Sequence, residues 1–216
     1  MRDTLMFYFD FISPYAYIAW TQIHALADRH GVSVVPVPIL FAAMLNANDT
    51  RGPAEIPAKR IYTFYDVART AAHLRLPLQA PPAHPFNPLM ALRVASLEMD
   101  DETRMALISA LYEATWAESR GVTDPEIVEH VAASVGVKDA VARAKAPTAK
   151  QRLRDATAEA MQRGVFGVPT MMVRGELFWG YDSFPNLERF LSGAVTIDQA
   201  MVEQWRTLPA SAQRKA

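Results

Sequence analysis

The sequence predicts an α/β fold in which a large all-helical insertion interrupts a small sheet. Three observations carry this. Residues 5–12 are apolar and aromatic with a single acid, the mark of a buried strand, and they run straight into the helix start Ser13-Pro14. From Met44 to about Arg163 the apolar residues recur at helical spacing. At Val165 the pattern returns to strands and then closes on helices. The chain has 216 residues, 50% hydrophobic and 21% charged, enough to bury a sizeable core.

The opening strand, Met6 to Ile12, is followed by Ser13, a preferred N-cap, and by Pro14 at the first helical position, where its missing N–H is not needed. Ile12 and Tyr17 are spaced for a hydrophobic staple. The helix should run to about His30, with Ala16, Ala19, Ile23 and Leu26 on one face and Gly31 ending it. Val32 to Leu40 reads as a strand, and Pro36 and Pro38 point to a sheet edge or to an early strand end. A right-handed parallel β-α-β crossover is the expected connection.

The helical stretch divides at its prolines and acids. Pro57 opens a helix with Ile61, Phe64, Ala68 and Ala71 aligned. Gln79 to Pro88 is a proline-rich connection, and Asn87-Pro88 then starts a helix bearing Leu89, Leu92 and Met99. Thr103 to Ser119 forms another, with Met105, Ile108, Tyr112 and Thr115 in line. Asp124-Pro125-Glu126 and Pro147 open two more, the last ending at Gly164. Thr170 to Gly180 reads as a hairpin turning at Arg174-Gly175-Glu176. Asp182-Ser183 should cap a helix holding Phe184, Leu187, Phe190 and Leu191, and an amphipathic helix spans about Thr196 to Leu208. Without residues 44–163, what remains is β-α-β followed by β-β-α. That is the thioredoxin-like order: a thioredoxin-like domain over 1–43 and 164–216, and a helical insertion domain over 44–163 roofing a cleft.

In this layout the reaction centre lies where the first strand meets the first helix. The two positions of a Cys-x-x-Cys dyad hold Ser13 and Ala16, and the chain has no cysteine. The protein itself can form no disulfide and do no thiol redox chemistry, so a thiol there must come from a ligand. A hydroxyl at a helix N-terminus suits that purpose, because the positive end of the helix favours anions and lowers thiol pKa values. On the plainer reading Ser13 only caps the helix. Val168-Pro169 fits the X-Pro that precedes the third strand in this fold, with a cis bond and with the backbone of Val168 open to pair with an extended peptide.

Composition removes other classes. The net charge is −1 and Lys and Arg are scattered, so no nucleic-acid footprint is expected. No apolar run reaches bilayer length, and Asp3 and Asp10 interrupt any secretory leader, so a soluble, cytoplasmic protein without membrane partners is expected. His24, His30, His73, His84 and His130 have no metal-ligand spacing, so no metal is expected. Asp10 reads as a buried acid on the first strand that either tunes the site or serves as a cap or salt-bridge partner. Phe64, Tyr65, Trp116 and Trp179 can line an aromatic cleft, although each taken singly suits a packing role.

Five stretches taken together resemble one family. They are Phe9-Asp10-Phe11-Ile12-Ser13-Pro14-Tyr15-Ala16-Tyr17, Ile56-Pro57-Ala58-Lys59, Phe86-Asn87-Pro88-Leu89-Met90-Ala91-Leu92-Arg93, Val165-Phe166-Gly167-Val168-Pro169-Thr170 and Phe178-Trp179-Gly180-Tyr181-Asp182. In order and spacing, across the whole chain, they resemble the 2-hydroxychromene-2-carboxylate isomerase family, itself related to kappa-class glutathione transferases and DsbA-like oxidoreductases. The resemblance implies a glutathione-dependent isomerase of aromatic degradation. Its substrates are small chromene carboxylates, opened to benzylidenepyruvates, and glutathione is regenerated. It implies Ser13 as the catalytic group at the glutathione sulfur. It implies Val168, Pro169, Asp182 and Ser183 around the peptide part of glutathione, and Lys59 and Asn87 toward the cleft, as well as a homodimer. One departure is visible: where the family has Asp-Arg, this chain has Asp182-Ser183, and a serine cannot clamp a carboxylate with two parallel bonds. Two other readings stand beside it, a kappa-like glutathione transferase and a non-catalytic thiol- or peptide-binding protein. The fate of the thiol separates the three.

Overall fold

The computed structural model describes residues 3–212. Its sheet has four strands: β1 (Thr4–Phe9), β2 (Ser33–Pro38), β3 (Thr170–Val173) and β4 (Glu176–Trp179), in the order β2-β1-β3-β4. β1 pairs in parallel with β2, Thr4 opposite Ser33 through Phe9 opposite Pro38, and antiparallel with β3, Tyr8 opposite Thr170. β3 and β4 form the expected hairpin. The thioredoxin-like order read from the sequence is therefore present. The two prolines of β2 are tolerated because β2 is an edge strand.

β1 is apolar on both faces because both are covered. Leu5, Phe7 and Phe9 point into the main core, while Tyr8 points the other way, against Ile39, Met44, Ala160 and Val165. Helix α1 (Pro14–Arg29) covers the first face with Ala16, Ala19, Ile23 and Leu26, as its spacing required.

The helical segment comprises α2 (Phe41–Ala47), α3 (Pro57–Leu74), α4 (Leu89–Ala95), α5 (Asp101–Tyr112), α6 (Pro125–Ser134), α7 (Ala140–Ala144) and α8 (Pro147–Gln162). It shares the sheet's core. Leu107, Ile108, Leu111 and Tyr112 of α5 belong to the same buried cluster as Phe7 and Phe9, and the Tyr112 ring lies 4.9 Å from Phe11. Two side-chain bonds tie this segment to the start of α1: Tyr15 Oη donates to Asp66 Oδ2 at 2.8 Å, and Tyr17 Oη to the Pro77 carbonyl at 2.7 Å. After β4 come a 3₁₀ turn (Tyr181–Ser183), α9 (Phe184–Leu191) and α10 (Gln199–Arg206).

Several boundaries differ from the periodicity. The helix starting at Leu89 stops at Ala95, so Met99 lies beyond it. Asp100 then restarts the chain as a side-chain cap on Thr103 N–H. The predicted helix Thr103 to Ser119 becomes π-helical from Glu113 to Ala117. Helices α2 and α7, of 7 and 5 residues, are too short to register as a period. Ser183 does not cap α9 with its side chain. Its hydroxyl donates instead to the carbonyl of Gly180 at 2.7 Å.

Candidate active site

The site is built on the loop between β1 and α1. Ser13 has extended backbone (φ −92°, ψ 115°), and its Oγ accepts the Ala16 N–H at 3.2 Å, so it is the N-cap. Its own hydroxyl hydrogen has no acceptor among the described residues and is free to donate. The side chain is half-buried at the start of a 16-residue helix whose first turn contains no acid to offset its positive end.

Most of the polar groups that lead to Ser13 are engaged. The Ser13 N–H donates to Asp10 O at 3.2 Å. The Phe11 carbonyl accepts from Trp116 Nε1 at 2.9 Å. The Ile12 carbonyl lies 2.9 Å from His84 Nε2. Asp10, 1% exposed, accepts from the N–H of Ile12 through Oδ1 at 3.1 Å and from the N–H of Phe41 through Oδ2 at 3.0 Å. It thus ties the loop after β1 to the one after β2.

Burial pushes the Asp10 carboxyl up to about 7 from an ordinary 3.8, against the pull of those two N–H donors. A folded-state value above the unfolded one means that the folded chain binds the proton more tightly. The stability this adds is complete below about pH 4 and is lost as pH rises through 7. Wild-type stability should therefore fall relative to Asp10→Asn across that window, by at most about 1.4 kcal/mol per pH unit. Denaturant unfolding of both proteins from pH 4 to 8 checks this, and a gap that moves the other way rejects it.

Across the sheet, the pairing of Tyr8 with Thr170 brings the end of β1 and the start of β3 to the same edge. There the Val168-Pro169 bond is cis. Neither the N–H nor the C=O of Val168 has a hydrogen-bond partner among the described residues, whereas Pro169 O accepts from Gly180 N–H at 2.9 Å. A Cβ on Gly167 would stand 2.6 Å from the Trp179 indole nitrogen, so any side chain there must displace that ring. The exposed rings of Trp179 and Phe166 meet edge to face at 5.1 Å.

The turn at Tyr181–Ser183 lies against α1. Gly180 has φ +83°, which favours glycine, and a Cβ on it would fall 2.3 Å from Asp182 Oδ1, so that carboxylate would have to turn away. Asp182 is exposed. Burial first, then the Asp66 carboxylate, hold the Tyr15 phenol well above its ordinary range, and the charges of Tyr62 and Asp182 act in the same direction. The Tyr15–Asp66 bond thus places a carboxylate beside the start of α1.

The remaining predicted residues are spread more widely. Lys59 is exposed on the first turn of α3. Its neighbour Arg60 lines a cleft of about 530 Å³ with Ala54, Glu55, Pro57, Ile61 and Phe64. Arg60 makes no ion pair among the described residues, and its guanidinium lies 6.0 Å from the Phe64 ring centre. Periodicity on α3 marked Phe64 but not Arg60. Asn87 is exposed, and its Oδ1 accepts the Leu89 N–H at 3.0 Å, a local cap. Trp116, at 1% exposure, is a core residue and not a cleft wall. Tyr65 is exposed beside Arg69, 5.5 Å from ring centre to guanidinium. Among the described residues no three His, Asp or Glu side chains converge as metal ligands, and no helix is long and apolar enough to cross a membrane.

Comparison with known proteins identifies the family and the fold. The model of the DSBA-like thioredoxin domain matches residues 4–192. The 2-hydroxychromene-2-carboxylate isomerase of Sphingobium xenophagum is 31% identical over 195 residues, covering 88% of this chain and 99% of that one. Glutathione S-transferase kappa 1 of Caenorhabditis elegans is 28% identical over 194 residues, covering 82% and 86%. A solved structure of 2-hydroxychromene-2-carboxylate isomerase superposes with a TM-score of 0.80 at 24% identity, covering 96% of this chain and all of that one. The chain belongs to the DSBA-like thioredoxin domain family, in the branch that holds the 2-hydroxychromene-2-carboxylate isomerases and the kappa glutathione transferases.

Proposed function

We propose that this protein is a glutathione-dependent isomerase of small aromatic carboxylates of the 2-hydroxychromene-2-carboxylate type. The observation that carries the reading is Ser13, a hydroxyl with an unspent hydrogen at a helix N-terminus, in a fold that uses this position for sulfur and in a chain without cysteine. The relatives bear names for this isomerase and for glutathione transferases. Glutathione, when bound, supplies a nucleophilic thiol that is returned unchanged.

The residues present suit that tripeptide. The open N–H and C=O of Val168 can pair with the cysteinyl backbone as an added strand. Pro169 holds that edge in place through its carbonyl bond to Gly180. The Asp182 carboxylate suits the single ammonium of glutathione. Ser183 contributes less than its place suggests, since its hydroxyl hydrogen is spent on Gly180. Lys59 and Asn87, which the family resemblance turns toward the ligand, are both exposed, and neither lines the depression at Arg60. Arg60 and Phe64 offer the substrate a cation for its carboxylate and an aromatic face for its ring.

Arg60→Ala should raise the KM for the aromatic carboxylate by about tenfold to a hundredfold, the value of a charge-assisted bond of roughly 1.5–3 kcal/mol. Glutathione affinity by calorimetry should not change. Equal losses in both would place Arg60 elsewhere. The function itself is tested by following the thiol during turnover of a chromene carboxylate. Glutathione recovered intact supports the isomerase, an alkylated product makes the protein a transferase, and binding without turnover makes it a binding protein.

A further inference from the structure

His84 is a residue that the proposed reaction does not use. It sits in the connection between α3 and α4, 72 positions along the chain from Ile12, yet its Nε2 lies 2.9 Å from the Ile12 carbonyl. A carbonyl only accepts, so Nε2 carries the hydrogen and Nδ1 is left with its lone pair. Nδ1 is buried and has no partner. The ring is boxed by Phe64, Trp116 and Phe86, with centroids at 5.3, 5.5 and 6.1 Å. Burial holds the imidazole below its ordinary range, the carbonyl bond works the other way, and the charge of Arg60 on α3 adds to the lowering. The ring is thus neutral and fixed in one tautomer.

The bond matters because of the peptide it reaches. The Ile12 C=O and the Ser13 N–H belong to one rigid plane. His84 holds the carbonyl side of that plane, and Asp10 O holds the N–H side at 3.2 Å. With both ends held, the plane is restrained and so are Ser13 N and Cα; from that base φ of −92° and the Ala16 N–H bond to Oγ set where the Cβ and hydroxyl point. With His84 removed, only the N–H side is held, and the orphaned carbonyl turns to seek water.

We propose that His84 is a positioning residue, which fixes the Ile12–Ser13 peptide plane and so aims the Ser13 hydroxyl at the sulfur site. Its bearing on glutathione rests on the function proposed above; its bearing on the loop does not.

Two variants separate this role from simple packing. His84→Phe keeps an aromatic ring in the box and loses the donor. His84→Gln keeps an N–H donor near the place of Nε2 and loses the ring. In the ligand-free protein, amide hydrogen exchange at Ser13 and Ala16 should speed up by about fivefold or more in His84→Phe and stay near wild type in His84→Gln. With glutathione bound, the thiol pKa read by ultraviolet titration should rise by about one unit in His84→Phe and return toward wild type in His84→Gln. A variant that melts earlier but leaves Ser13 and Ala16 exchange unchanged makes His84 a packing residue and overturns the proposal. Should His84→Phe fail to fold, long-range proton–nitrogen spectra of wild type decide, because a tautomer protonated at Nδ1 overturns the proposal and one protonated at Nε2 supports it. Absence of glutathione binding in wild type refutes the proposed function alone, and the exchange result still decides the role of His84.

Discussion

Ser13→Ala should raise the pKa of bound glutathione by at least about one unit and lower turnover near neutral pH about tenfold or more. A free thiol ionises near 8.5, so only a few per cent is thiolate at neutral pH. The start of α1 favours an anion by about 0.3–1 kcal/mol, and a hydroxyl bond to the thiolate adds roughly 1.5–3 kcal/mol. Together these are worth about 1.3–3 pKa units at 1.36 kcal/mol each, enough to bring the sulfur to about half thiolate or more at pH 7 without a protein base. Alanine keeps the helix and loses the bond. The hydroxyl hydrogen that makes the bond is the one left unspent in the ligand-free geometry. The lost cap should cost about 0.5–2 kcal/mol of stability, so folding survives. An ultraviolet titration of the bound thiol and a pH–rate profile measure the two effects. Two unchanged curves would reduce Ser13 to a helix cap.

Trp116→Ala should be the most destabilising of the substitutions considered. Trp116 is 1% exposed, and its indole N–H fills the Phe11 carbonyl at 2.9 Å. Truncating a buried tryptophan costs about 3–5 kcal/mol, and an orphaned buried carbonyl adds roughly 1–3 kcal/mol. Against a total stability of about 5–15 kcal/mol, the loss should lower the melting temperature by about 10 °C or more, or abolish folding. Trp116→Phe, which keeps one aromatic ring but loses the N–H and the volume of the second ring, should cost about a third to a half of that. Thermal denaturation checks both. Nearly equal melting temperatures for wild type and Trp116→Ala would show that the core relaxes around the gap.

The local parts of the site were legible in the sequence. Ser13-Pro14 is a helix start by residue type alone, and an X-Pro before a strand marks the edge at Val168. What holds these parts was not legible, because the contacts join distant positions: Trp116 meets Phe11 across 105 residues and His84 meets Ile12 across 72. Spacing along a helix reports which face is apolar, not what that face touches. The same limit hid Arg60. It follows Lys59 by about 100° around α3, and only tertiary placement decides which of the two lines the cleft. Ser183 misled for a local reason. A serine before a helix reads as a cap, but here the left-handed Gly180 turns its own carbonyl within reach of the hydroxyl.

The open backbone at Val168 has a consequence for how this surface can change over time. The groups offered there are an amide and a carbonyl, which every residue except proline carries alike. Recognition written in the main chain is indifferent to the side chain above it. Position 168 can therefore drift among residues of similar bulk while the strand-like edge stays the same, and a mutational scan would score it as unimportant although its backbone groups stay open. Gly167 and Gly180 carry the opposite burden. A Cβ on Gly167 would press on the Trp179 indole and one on Gly180 on the Asp182 carboxylate, and Gly180 also needs its positive φ. A change at these two positions acts through the shape of the backbone and its neighbours, one step removed from the open groups of Val168.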